Sequence, residues 1–131
     1  MAAEAIAEYV RLGMIEPGVQ LLTEAFELGE RNNERNWEAE LCRLKGELRL
    51  AQAVPDAPEA EACFYRALNT ARHQSARSLE LRAATSLARL WQQQGKRQEA
   101  QDLLAPVYGW FTEGFDTADL QEAQALLDAL A

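Results

Sequence analysis

The stretch from Leu87 to Tyr108, LARLWQQQGKRQEAQDLLAPVY, constrains the fold of this chain more than any other segment. It predicts two helices with a tight break at Gly95, because glycine adopts the left-handed conformation that closes a helix without a Cβ penalty. Small and large apolar residues recur through it at helical spacing, at Ala88, Trp91, Ala100, Leu104 and Val107. Small residues let two helices approach closely and large ones fill the groove beside them, so the pattern predicts a packed helical hairpin.

The same intervals occur in other parts of the chain, which indicates a repeat. Steps of four, five, four and three residues lead from Trp91 to Val107 through Gly95, Ala100 and Leu104, and from Tyr9 to Ala25 through Gly13, Gly18 and Leu22. A third copy ends in Ala60, Phe64 and Ala67, with Phe64 lying 42 residues after Leu22 and 40 before Leu104. Since one hairpin cannot bury its own apolar face, the repetition predicts stacked neighbours.

This spacing resembles the tetratricopeptide repeat, lengthened from its usual period of about 34 residues. The resemblance implies an all-α fold in which antiparallel helix pairs, with about seven helices in total, stack as a superhelix. We expect one domain over residues 1–131, with repeats near 1–34, 35–75 and 76–113 and a terminal capping helix over 116–130. The outer side of that last helix is polar, as the end of a repeat stack must be in water.

Local signals predict where several helices begin or end. Asn36 and Asp56 are suited to cap the helices that follow them. Pro106 predicts a kink or an early helix end within 102–105, because proline lacks an N–H and clashes one turn back. Trp37 begins the clearest apolar stripe in the chain, so we expect its ring to pack in the core.

Composition argues against catalysis and metal binding. One His and two Cys cannot supply a Cys/His zinc site, and the seven glycines are scattered singly rather than forming a phosphate-binding loop. We expect Cys42 and Cys63 to be free, buried thiols, with a disulfide as the alternative in an oxidising compartment. No apolar run approaches the ~20 residues of a membrane span, and acidic residues near the N-terminus argue against a secretory signal. We therefore expect a cytoplasmic protein that is not an enzyme and uses no cofactor or metal.

Charge is distributed unevenly along the chain. The net charge of -8 is the sum of -7 over residues 1–65, +6 over 66–97 and -7 over 98–131. The middle segment, here called the basic belt, either pairs with acids on neighbouring helices or forms an electrostatic docking strip. Overall acidity argues against nucleic-acid binding, which depends on neutralising phosphates. The belt comprises Arg66, Arg72, Arg77, Arg82, Arg89, Lys96 and Arg97.

The C-terminal half carries a more specific resemblance. From Ala60 onward, and above all in AATSLARLW (83–91) and LAPVYGWFTEGFDTADL (104–120), the chain is similar to the C-terminal end of large bacterial signalling proteins. Those proteins join a nucleotide-cyclase or DNA-binding part, an ATPase of the signal-transduction type and a tetratricopeptide array. The resemblance implies that this chain corresponds to the sensor or scaffold portion of a signalling system. It does not imply cyclase or ATPase activity, because residues 1–131 do not include those parts.

The resemblance to tetratricopeptide arrays also implies a binding surface, since the first helix of each unit lines the concave face. Aligning Gly46 with Ala88 assigns to that face Glu40, Arg43, Glu47 and Leu50, and then Arg82, Thr85, Arg89 and Gln92. Trp110 and Phe115, near a turn, are candidate docking aromatics. The expected partner is a protein or peptide, including a second copy of the chain, with no nucleic acid and no membrane. The alternatives are a small-molecule sensor with its ligand in the concave groove, and a solvated inner face.

Overall fold

The computed structural model describes residues 2–31 and 37–131. Within these ranges the chain forms seven helices and no strand, which confirms the predicted all-α fold class. The helices are α1 (Ala2–Arg11), α2 (Ile15–Arg31), α3 (Glu38–Ala51), α4 (Ala57–His73), α5 (Arg77–Gln93), α6 (Arg97–Gly109) and α7 (Ala118–Leu130).

Helices that follow one another in sequence pack as antiparallel pairs, because short connections leave them no other neighbour. The pairs are α1 with α2, α3 with α4, and α5 with α6. The first helices also touch one another, α1 on α3 and α3 on α5, and α5 touches α7. Each second helix contacts the helix that follows it. This stacking of pairs in a row is consistent with a tetratricopeptide-like array.

Three clusters of buried apolar side chains hold the stack together. The N-terminal cluster joins α1, α2 and α3 through Ile6, Leu22 and Leu44. A second cluster joins α4 to α5 around Phe64 and Leu87. The largest runs from α3 to α7, and its most buried members include Ala67, Ala84, Leu104 and Ala123. Every helix pair therefore contributes to a core that it shares with the next pair.

Two glycines allow close helix contacts, as expected of the small positions of the repeat. A Cβ at Gly46 would lie 2.5 Å from Cε1 of Phe64, whose side chain is fully buried on α4. A Cβ at Gly18 would lie 2.8 Å from Cδ2 of Leu48. Glycine at these two positions therefore sets how closely α3 approaches α4 and how closely α2 approaches α3.

Three helices end with a residue in the left-handed conformation. Gly95 has φ +80° after α5, as predicted, and the N–H of Lys96 donates to the carbonyl of Trp91 at 2.8 Å. Gly13 closes α1 in the same way with φ +71°. Ser75 has φ +55° after α4, so a residue with a Cβ adopts the conformation that glycine favours.

Other local predictions had mixed outcomes. The carboxylate of Asp56 accepts a hydrogen bond from the N–H of Glu59 at 3.2 Å, which confirms the predicted cap of α4. Asn36 lies outside the described residues. The early helix end before Pro106 is wrong, because α6 continues to Gly109. Pro106 lies in the last turn of α6, so its missing N–H costs one hydrogen bond near the helix end, and its clash one turn back does not stop the three residues that follow from being helical.

The two cysteines are free and buried, as predicted. Burial raises the pKa of both the Cys42 and the Cys63 thiol, which keeps them in the neutral form. Among the described residues, no helix combines the length and the apolar character needed to cross a membrane.

Candidate functional site

A groove of about 650 Å³ runs across the first helix of each pair and α7. We call it the concave groove. Its side chains come from positions three or four residues apart on each helix, which share one helix face. One end is mostly apolar, with Ala3, Ala7 and Val10 of α1 beside Leu44 and Trp37, although Glu4 and Arg11 of α1 also line it. The remainder of the groove, contributed by α3, α5 and α7, is mostly charged.

Glu40 is the centre of the charged floor. Its residue is only 5% exposed, although it carries a carboxylate. Arg43 donates to both carboxylate oxygens, from Nε at 2.8 Å and from a terminal nitrogen at 2.9 Å. Arg82 donates to the same carboxylate at 3.1 Å. Two guanidinium groups therefore compensate one buried negative charge, which would be costly to bury unpaired.

Arg82 links three helices through its ion pairs. While one terminal nitrogen contacts Glu40 of α3, its Nε donates to Asp119 of α7 at 2.8 Å. Arg43 reaches across to α5, where it donates to the hydroxyl of Ser86 at 3.3 Å. The floor is therefore a network that fixes α3, α5 and α7 relative to one another.

Both arginines remain fully charged. Burial by itself would lower the pKa of Arg43, but its hydrogen bonds with Glu40 and the charges of Glu40 and Glu47 outweigh burial and raise it. The pKa of Arg82 is raised in the same way, since the hydrogen bond with Asp119 and the nearby charges of Glu40 and Asp119 outweigh desolvation. The ion pairs therefore persist across the whole pH range in which the carboxylates are ionised.

Four arginines of the basic belt pair with carboxylates on other helices, and two make contacts of other kinds. This arrangement favours the pairing interpretation of the belt over a free docking strip. The contacts are Arg66 with Glu38 at 3.6 Å, Arg72 with Glu80 at 2.9 Å, Arg89 with Glu122 at 2.8 Å, Arg97 with the carbonyl of Ala129 at 3.3 Å, and Arg77 over the ring of Trp110 at 5.2 Å.

The concave groove contains most of the residues that the sequence assigned to the concave face. Those lining it are Glu40, Arg43, Glu47, Arg82, Thr85 and Arg89. Leu50 instead packs against the cluster around Phe64, and Gln92, in the last turn of α5, is not among the described lining residues. The groove is thus observed, while a binding role for its residues remains a prediction.

The two candidate docking aromatics lie apart from the concave groove, at the junction of α6 and α7. Trp110 is 46% exposed and Phe115 is 47% exposed. The ring of Phe115 lies 6.0 Å from that of Tyr108, measured between centroids. These aromatics form a second, smaller surface feature that shares no described residue with the groove lining.

Trp37 corrects one expectation. The sequence predicted a core position, but its side chain is 42% exposed and lines the concave groove. The reason is that Trp37 is the N-cap of α3, with φ -101° and ψ 1°, so the helical stripe that begins after it does not determine its direction. The contribution of α1 was also missed, although Ala3, Ala7 and Val10 follow helical spacing.

Comparisons of the chain with family models, with curated proteins and with solved structures gave no significant match.

Proposed function

We propose that this chain is a non-enzymatic, tetratricopeptide-like interaction module that binds a protein or peptide segment in the concave groove. The observation that carries the proposal is the groove itself, open along four helices, with exposed Trp37 at its apolar end. Tryptophan is enriched among residues that dominate binding energy, because its large ring buries much area at little entropic cost. The ion pairs of the floor hold its side chains in place, and a preorganised surface loses less conformational entropy on binding.

The state of the groove's central carboxylate supports binding rather than catalysis. A general acid or base needs an ionisable group free to exchange a proton with a substrate. Glu40 is instead occupied by Arg43 and Arg82, and Asp119 by Arg82. These groups serve to hold the helices together.

A small-molecule sensor is the second candidate, and the size of the groove favours it. A volume of about 650 Å³ falls within the range of ligand pockets, about 300–1,000 Å³. A thermal-shift screen against metabolites tests this candidate, since a ligand that binds only the folded form raises the unfolding midpoint.

The wider setting is also a proposal. We propose, from the resemblance carried by residues 104–120, that the module belongs to a bacterial signalling system in the cytoplasm. A second copy of the chain is one protein partner to consider. Sedimentation over a range of concentrations tests self-association, and a monomer at every concentration would remove it.

The binding proposal is tested by selecting peptides from a random displayed library on the wild-type chain and measuring their affinity for two matched variants. Trp37→Ala removes an exposed tryptophan inside the groove, and Trp110→Ala removes one of similar exposure outside it. We expect Trp37→Ala to weaken binding at least about tenfold, as for an aromatic anchor residue, and Trp110→Ala to leave it unchanged. Loss only with Trp110→Ala, or equal loss with both, would contradict a groove site.

A further inference from the structure

The concave groove carries more negative than positive charge. Its lining includes the carboxylates of Glu4, Glu40, Glu47, Asp119 and Glu122 and the guanidinium groups of Arg11, Arg43, Arg82 and Arg89. Arg11 forms its ion pair with Glu8, which is not a lining residue. Within the groove, the remaining arginines therefore face a larger number of carboxylates.

Two of those carboxylates, Glu4 and Glu47, accept no hydrogen bond from an arginine among the described residues. Glu4 is exposed, and no described basic group lies within ion-pair distance of its side chain. Glu47 lies 3.8 Å from Arg43, beyond hydrogen-bond distance, because Arg43 donates to Glu40 instead. By contrast, Glu122 and Asp119 each hold an arginine at 2.8 Å.

The apolar end of the groove lies beside these two carboxylates. Helices α1 and α3 run in the same direction, since one antiparallel helix separates them. Glu4 of α1 and Glu47 of α3 both line the groove along the α1–α3 seam. The side chains of Ala7, Val10 and Leu44 lie along that seam. The exposed ring of Trp37 also attracts cations to its face.

We propose that the groove's partner is a basic protein segment, whose apolar side chains pack along the groove between Trp37 and Val10 while its Lys or Arg side chains pair with Glu4 and Glu47. This inference rests on the proposed function and names the chemistry of its partner. The net charge of -8 supports it over a longer range, because it draws cationic segments toward the protein. An acidic segment would instead meet carboxylates without finding an unpaired arginine.

The test uses short fluorescent peptides that differ only in charge. Each has one central leucine, flanked by lysines, by glutamates or by glutamines, and its dissociation constant is measured by anisotropy with the full chain. We expect the lysine peptide to bind at least about tenfold more tightly than the glutamate peptide, and its affinity to fall as salt screens the pairs. Equal or tighter binding of the glutamate peptide, or no binding of the lysine peptide, would overturn the inference.

A pair of double variants separates the groove from net charge. Glu4→Gln with Glu47→Gln neutralises the two groove carboxylates that accept no hydrogen bond from an arginine, and Glu24→Gln with Glu27→Gln makes the same charge change on the exposed surface of α2. We expect the first to weaken lysine-peptide binding about three- to tenfold, and the second to leave it nearly unchanged. Equal effects would assign the preference to overall acidity and overturn the inference. Circular dichroism checks that each variant remains helical.

The library selection also separates this inference from the proposed function. If library peptides bind in a manner that depends on Trp37 but are acidic or neutral, the basic partner is wrong while the interaction module stands. If no peptide binding depends on Trp37, both fail. Displacement of the lysine peptide by spermidine at matched charge concentration, with the same dependence on Glu4 and Glu47, would show recognition of small cations and overturn a peptide partner.

Discussion

At the scale of single residues, packing between the first and second helix of a pair depends on the absence of a side chain at Gly46. The ring of Phe64 fills the space that a Cβ would need, and that ring is fully buried. Helix propensity alone would favour alanine here by about 1 kcal/mol. The contact with Phe64 decides whether alanine at position 46 stabilises or destabilises the protein, because a ring enclosed on all sides cannot move aside without disturbing its neighbours.

We therefore expect Gly46→Ala to destabilise the protein by about 1–2 kcal/mol, the net of overpacking and improved propensity. Urea unfolding followed by circular dichroism measures the change. Gly109→Ala is the control, because a Cβ there would meet nothing within 4 Å. It should be neutral or slightly stabilising, and equal losses from both variants would contradict the packing argument.

At Ser75, in contrast to Gly46, we expect a substitution to stabilise the protein. Its φ of +55° costs a residue with a Cβ about 1 kcal/mol, and glycine would relieve that cost at the expense of a more flexible unfolded chain. We expect Ser75→Gly to raise the free energy of unfolding by about 0.5 kcal/mol. Gly95→Ala, at φ +80°, should lower the free energy of unfolding by about 1 kcal/mol. A stabilising effect of Gly95→Ala would contradict a left-handed conformation at this helix end.

The sequence determines some of these residue-level features and leaves others open. The left-handed conformation of Gly95 was predictable, because glycine after a helix commonly adopts it to end the helix. Ser75 was not, since serine gives no such signal and adopts the conformation only because the α4–α5 connection is tight. Trp37 was wrongly assigned to the core, because helical periodicity predicts the direction of a side chain only within the helix, and Trp37 is the N-cap that precedes α3.

At the scale of helices, α3 joins the N-terminal pair, α1 and α2, to the rest of the stack. It contacts α1, α2, α4 and α5, and its charged face carries the floor of the concave groove. Its groove positions were predictable, because Glu40, Arg43 and Glu47 share one helical face. The ion-pair partners of these residues were not predictable, because Arg82 and Asp119 are distant in sequence and join the network around Glu40 only through the stacking of helix pairs.

Removal of the central carboxylate tests the network that joins these helices. Glu40→Ala leaves two guanidinium groups with fewer partners on a site that is mostly buried, so we expect a loss of about 2–3 kcal/mol. Glu122→Ala breaks an exposed pair with Arg89 and should cost less than about 1 kcal/mol. Chemical denaturation compares the two, and a similar small cost for both would show that the floor does not hold α3 to α5.

At the scale of the whole molecule, the repeat intervals predicted the fold class because they depend only on helix geometry. Stacked pairs bring the faces of α1, α3, α5 and α7 together along one groove. The exposed aromatics at Trp110 and Phe115 mark a different surface, so the molecule offers two regions on which a partner could be sought. We propose that the concave groove, and not the surface around Trp110 and Phe115, binds the partner.

Amide chemical-shift mapping by two-dimensional NMR tests that claim most directly. A selected peptide is added to the isotope-labelled chain, and perturbed amides are located in the structure. The account predicts that the largest changes fall on groove positions of α1, α3 and α5, including Ala7, Glu47 and Arg89 and the indole N–H of Trp37. Changes concentrated at Trp110 and Phe115, or on the outer helices α2, α4 and α6, would contradict it.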